Sequence, residues 1–171
     1  GWLYSHQSPR MQSTPFYTAY VKIAEGCDRT CTFCAIPSFR GRQKSRTINS
    51  IVEEVRHLAS QGVQEINLIA QELNGYGRDL PKGKAKKRIE LADLIEALEE
   101  VEPGPRWIRM LYLYPYGWSD RLLEVLANSK RVVPYIDMPL QHISDPVLRR
   151  MKRAGNGAQV RDLLGRLRQA I

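Results

Sequence analysis

Apolar positions along this chain switch repeatedly between simple alternation and spacing by threes and fours. In "YTAYVKIAE" (17–25), Ala19, Val21 and Ile23 alternate with Tyr20, Lys22 and Ala24, the period of a strand with one buried face. Ile48, Ile51, Val52, Val55, Leu58 and Ala59 then form the stripe of an amphipathic helix, which Gly62 ends. "VQEINLIA" (63–70) predicts a short buried strand. Leu91, Leu94, Ile95 and Leu98 make a second helical face, "EPGP" (102–105) closes it, and "WIRMLYLY" (107–114) is rich in β-favouring residues. Ser119 is placed to cap a helix carrying Leu122, Leu123 and Leu126, and "VVPYIDMP" (132–139) predicts a fourth strand. Ser144 is placed to cap a further helix with Pro146 in its first turn, and Val160, Leu163, Leu164, Leu167 and Ile171 mark a last one. Strict alternation of strand and helix predicts an α/β fold. Its sheet is parallel with right-handed crossovers, an open sheet or a partial TIM-type barrel of about four βα units.

Residues 1–15 lack this periodicity and carry Pro9 and Pro15 among polar residues, so they read as a linker before a core domain at 16–171. Two loops stand apart. "QELNGYG" (71–77) follows the second strand, and its glycines allow a tight turn or a close approach of backbone to a ligand. "PKGKAKKRIE" (81–90) carries five basic residues, a solvated insertion or a contact for RNA or a partner. Against 18 Asp and Glu stand 26 Lys and Arg, a balance of +8 that favours a polyanionic partner if the basic face is more than a solvated surface. No run reaches the roughly 18 to 20 apolar residues of a membrane span. A cytoplasmic protein with neither membrane nor DNA as partner is expected.

All three cysteines, Cys27, Cys31 and Cys34, lie within "EGCDRTCTFCAIP" (25–37). An odd, crowded set argues against a disulfide framework and for metal or redox chemistry. Thiolates suit zinc or iron-sulfur clusters, but structural zinc takes four closed ligands, so zinc here would need His6, His57 or His142. His57 falls off the apolar face of its helix, and His6 lies in a leader expected to be flexible. A cubane cluster on three thiolates instead leaves one iron open to a substrate or cofactor. The loop's position agrees, since ligands of α/β sheets and barrels bind where strands end at their carboxyl edge.

C-x3-C-x2-C with an aromatic residue, Phe33, before the last cysteine resembles the radical S-adenosylmethionine superfamily. "GCDRTCTFCAIPSFRGRQKSR" (26–46), "QELNGYG", "YLYPYG" (112–117) and "YIDMPLQHISDPVLRRMKR" (135–153) together resemble its methylthiotransferases. "PLQH" (139–142) is similar to the RimO branch, which modifies an aspartate β-carbon of small-subunit ribosomal protein S-twelve, rather than to the branch modifying isopentenyladenosine in tRNA. The resemblance implies a 4Fe-4S cluster on Cys27, Cys31 and Cys34, S-adenosylmethionine on the open iron, an electron donor, and the small ribosomal subunit as partner. It implies that Phe33 offers its backbone to the adenine, and that Gln71, Tyr114, Gln141 and His142 line the cavity unless they merely finish strands or cap helices. Arg40, Arg42 and Arg46 are candidates to meet a carboxylate or phosphate, or else are solvated. No catalytic acid or base is singled out.

The family also has an amino-terminal domain whose three further cysteines hold a second cluster, a carboxyl-terminal β domain, and usually six barrel strands. The resemblance therefore implies a radical core truncated at both ends, in which the second cluster is expected only in the full-length protein. Such a piece is not expected to complete the reaction alone. A zinc-stabilised module that binds RNA or the ribosome without catalysis is the alternative of another class.

Overall fold

The computed structural model describes residues 3–82 and 88–171. Its centre is a parallel sheet of three strands, β1 (Thr18–Lys22), β4 (Glu65–Ile69) and β5 (Trp107–Met110), in the order β1-β4-β5. Each crossover thus lays the next strand beside the last, the winding that builds a barrel wall. Register follows hydrophobicity: Ala19 faces Ile66, which faces Ile108, and Val21 faces Leu68, which faces Met110, all of them fully buried. Against this face pack α2 (Ile48–Ser60), α3 (Leu91–Glu99) and α4 (Asp120–Asn128), through Ile51, Val55, Leu58, Leu91, Leu94, Ile95, Leu98 and Leu122. Thr47 and Ser119 cap α2 and α4 by accepting from the amides of Ser50 and Leu122. Glu90 with Asp93 forms a capping box on α3. Two further helices follow, α5 (Asp145–Arg150) and α6 (Gly157–Ala170). Among the described residues no helix is long and apolar enough to cross a membrane.

Two expected strands come out shorter. The third ends at Met110 because Tyr112 adopts φ 66°, which turns the chain out of the ladder. The fourth, expected over 132–139, reduces to a single parallel bridge between Ile108 and Val132. Pro134 lies at the centre of a three-residue turn in which Tyr135 N donates to Val133 O, so that amide no longer reaches the sheet. Beyond the turn Leu113 N donates to Asp137 O at 2.9 Å and Tyr112 N to Asp137 Oδ2 at 2.8 Å, which ties the segment back.

The first strand is also divided. After Ile23 the chain leaves β1, and β2 (Ala24–Glu25) pairs antiparallel with β3 (Lys44–Ser45). This small ribbon, which alternation does not reveal, closes the base of the cysteine loop. The leader is not free either. Residues 3–15 form no helix or strand, yet Arg10 donates to Tyr20 O and pairs with Glu54, while Gln12 and Thr14 donate to Thr18 O. These side chains cover carbonyls on the open edge of β1, which otherwise invites pairing with another chain. His6 N is held by Ser50 Oγ at 3.3 Å.

The second face of the sheet is polar. There Glu65 accepts from Arg109 Nε and Nη2, both at 3.3 Å, and from Asn67 Nδ2 at 3.2 Å. The Arg109 hydrogen bond outweighs burial and, with Asn67, holds the Glu65 carboxyl below its ordinary range. A depressed carboxylate stabilises the fold above its unfolded pKa, and that contribution is lost as pH falls through the folded value. Glu65→Gln is therefore expected to lower stability by about 1 kcal/mol at neutral pH and by less at an acidic pH, where the carboxylate is protonated. Urea unfolding at the two pH values checks this; an equal loss at both would show that packing, not charge, is at stake.

Candidate functional site

The cysteine loop runs from Gly26 to Gln43 above the carboxyl ends of β1 and β4. Its base is fixed by the β2–β3 ribbon and by Cys27 N donating to Gly41 O at 3.1 Å. Gly26 has φ 81°, and a Cβ there would lie 2.4 Å from Arg42 O, so only glycine fits where the loop's two arms cross. The far end is tied to the end of α5: Thr32 N donates to Met151 O and Thr32 Oγ1 to Arg150 O. A short helix, α1 (Ile36–Arg40), follows the last cysteine.

All three thiols are free, Cys27 buried and the other two half-buried. Burial pushes the Cys27 thiol up, and Arg29 N–H, 3.4 Å from its sulfur, opposes this. Among the described residues no three Cys, His, Asp or Glu side chains are already gathered as a metal cage. The chemistry of the donor set nevertheless fits an iron-sulfur cluster. Three soft ligands lie on one anchored loop, and an amide already donates to a sulfur, as amides do to cluster ligands. No histidine completes a zinc set: His57 is exposed and bonded to Gln61, and His142 Nδ1 accepts from Ser144 N at the start of α5.

Beside the loop lies a cavity of about 350 Å³ lined by Lys22, Ile36, Ile69, Ala70, Gln71 and Tyr112. Gln71 Nε2 donates to Glu25 Oε1 at 3.1 Å, while Gln71 Oε1 is buried without a partner. Burial alone would raise the Glu25 carboxyl, but the hydrogen bond and charge of Lys22, with Arg40 and the Gly26 amide, hold it below its ordinary range. A second cavity, about 230 Å³, lies between the leader and β1. No cysteine-loop residue lines it, so it is not the candidate.

Of the residues expected to line the site, only Gln71 borders this cavity. Phe33 is exposed beside the thiols. Gln141, at φ 67°, and His142 are also exposed, in the turn before α5. Tyr114 is buried away from the cavity: its amide donates to Asn74 Oδ1, its hydroxyl accepts from Ala154 N, and its ring is flanked by two guanidiniums. Arg46 is a correction to the anion-contact expectation. It is 2% exposed and its guanidinium is engaged by Glu54, Lys22 O and Ser50, so it braces α2 against β1. Arg40 lies 3.6 Å from Glu25, and Arg42 extends into solvent beside Asp28. Lys84, Lys86 and Lys87 of the basic loop lie outside the described residues.

Sequence reasoning missed Glu72, which is 1% exposed. Its carboxylate binds Arg29 through two hydrogen bonds and Arg78 at 3.1 Å, fixing the cysteine loop to the turn after β4. The pairing of residues 29 and 72, far apart in the chain, has no local signal in the sequence.

Residues 21–171 match the family model of the Radical SAM superfamily. The chain belongs to the radical SAM superfamily. Curated relatives named "Ribosomal protein uS12 methylthiotransferase RimO" are similar over nearly the whole chain. The protein from Sorangium cellulosum is 51% identical over 99% of it, that from Geotalea uraniireducens 48% over 99%, and that from Aquifex aeolicus 50% over 95%. The chain spans only 35%, 37% and 36% of those proteins, respectively. Among solved structures, the radical S-adenosylmethionine methyltransferase TsrM from Kitasatospora setae, with cobalamin and a 4Fe-4S cluster bound, superposes with a TM-score of 0.69 at 17% identity. That match covers 95% of this chain and 33% of TsrM, and it shows the shared radical SAM fold.

Proposed function

We propose that this chain is the radical core of a methylthiotransferase that modifies the β-carbon of an aspartate in ribosomal protein uS12. The observation that carries this reading is the near-complete similarity to the RimO relatives at about half identity. In it, Cys27, Cys31 and Cys34 hold a 4Fe-4S cluster and the cavity at Gln71 receives S-adenosylmethionine. When bound, that pair supplies the radical chemistry which an unactivated C–H bond demands, since it offers no acidic proton to a general base.

The chain's own residues position and exclude. Gly26 and the ribbon place Cys27 in a buried corner, and Glu72 holds Arg29 so that the loop keeps its path. Gln71 Oε1, without a partner of its own, is the acceptor available to a donor on a bound molecule. Ile36, Ile69 and Ala70 give the cavity an apolar wall that displaces water from a reactive intermediate. Phe33, Gln141 and His142 stay candidates for adenine or substrate contacts at the rim, and Arg40 and Arg42 for an anionic one. With three cysteines in the chain, the second cluster and the sulfur it delivers belong to another part of the full-length protein. In this reading the electron donor is a separate partner and the enzyme acts on its ribosomal substrate in the cytoplasm.

The RimO relatives lend no support to the tRNA alternative, and membership of the radical SAM superfamily favours an iron-sulfur cluster over a zinc module. Anaerobic reconstitution with iron and sulfide tests the reading. About four irons per chain and a brown, reducible chromophore are expected, lost when any one of the three cysteines becomes alanine. Zinc uptake without colour would sink it. Mass spectrometry of uS12 and tRNA from cells lacking the full-length protein tests the substrate: loss of the tRNA modification with uS12 unchanged would overturn the aspartate.

A further inference from the structure

Two guanidiniums flank the Tyr114 ring, and one carboxylate, Glu72, joins the first of them to a third. Arg29 lies 4.1 Å from the ring centroid and Arg153 4.3 Å, while Arg78 joins Arg29 on Glu72. Glu72 offsets Arg29. Arg153 is different: it is 8% exposed, its Nη2 donates to Pro139 O, its Nε is buried without a partner, and among the described residues no carboxylate pairs with it. Burying a cation with no acid beside it is costly, and a structure that does so is set up for an anion from elsewhere. The anion-bearing element is close. Thr32, between Cys31 and Cys34, is hydrogen-bonded to the carbonyls of Arg150 and Met151, three and two residues before Arg153. Cys31 also contributes, with Arg29 and Arg153, to the electrostatic surroundings of the Tyr114 hydroxyl.

We propose that Arg153, held against Tyr114 and the Pro139 carbonyl, is an electrostatic positioning residue whose uncompensated charge faces the cysteine loop and stabilises the reduced state of its cluster. A cluster on three thiolates is net anionic and becomes more so on accepting an electron, so a fixed cation nearby favours the reduced form. Because the guanidinium is buried, salt screens it weakly. This inference rests on the radical SAM reading of the three cysteines and deepens it by assigning a residue outside the motif. Tyr114, expected to line the cavity, acts instead as the platform that orients Arg153.

The test is a dithionite titration of the reconstituted chain followed by electron paramagnetic resonance. Arg153→Met is expected to lower the reduced-to-oxidised ratio at a fixed potential about tenfold, a midpoint shift of ~59 mV to the negative for a one-electron couple. Arg153→Lys should restore most of it, and Arg149→Met, on the exposed surface of α5, should leave it near wild type. Iron content and circular dichroism show that each variant is loaded and folded. If Arg153→Met does not fold, Arg153→Gln against Arg153→Lys carries the same comparison. A loaded Met or Gln variant with the wild-type midpoint, or a shift no larger than that of Arg149→Met, overturns the inference alone. Failure of the wild-type chain to take up any cluster overturns the functional reading and this inference with it.

Discussion

Replacing Glu72 by alanine is expected to cost the fold about 3 kcal/mol and to loosen the cysteine loop, a larger effect than any exposed ion pair of this protein would give. Among the described residues its carboxylate is the one acid paired with Arg29 and Arg78, and at 1% exposure water cannot replace it. Truncation would leave Arg29, which is itself mostly covered, facing Tyr114 with no counter-charge. It would also open a void beside Gly75, where Glu72 Cδ lies 3.1 Å from the position of a Cβ. Glu72→Gln keeps the shape and part of the hydrogen bonding, so about half the loss is expected. Urea unfolding of the three proteins measures this. A loss within about 0.5 kcal/mol for alanine would reduce Glu72 to the standing of a surface pair.

Glu72 also shows what the sequence conceals. Alternation and helical spacing revealed β1, β4 and helices α2 to α6, though not the short α1, because each depends on a pattern within about a dozen residues. The ends of elements depend on single backbone choices, such as the positive φ of Tyr112 and the turn at Pro134, which hydrophobicity does not record. The cysteine loop was legible because its three ligands are local. Its supports were not, because Arg29 meets Glu72 and Tyr114 only after the sheet has formed. Charge grouped Arg40, Arg42 and Arg46 as anion contacts, whereas the fold separates them: α2 brings Glu54 to Arg46 and buries it, while Arg42 extends into solvent. Tyr114 was placed by where a strand was expected to end, and a strand that ends at Met110 changes what it touches.

Gly26→Ala is expected to abolish cluster loading while leaving most of the fold. The added Cβ would meet Arg42 O at 2.4 Å, Gly41 O at 2.6 Å and Arg42 C at 2.8 Å, all backbone atoms that cannot rotate aside. A φ of 81° adds about 1 kcal/mol of strain for alanine. Relief requires the loop's two arms to separate, which breaks Cys27 N to Gly41 O and unzips the β2–β3 ribbon. The first ligand then leaves its buried corner. The helices packed on β1, β4 and β5 do not depend on this ribbon, so melting should fall by only about 2 to 4 °C for each kcal/mol lost. Iron uptake, in contrast, should drop at least about tenfold, the effect of roughly 1.4 kcal/mol on ligand placement. Gly62→Ala separates strain from collision: its φ of 95° is also positive, but nothing lies within 4 Å of its Cβ position. That variant should melt lower and still load fully. If both substitutions spared the cluster, the crossing at Gly26 would not be what sets Cys27, and the loop would close around iron by another route.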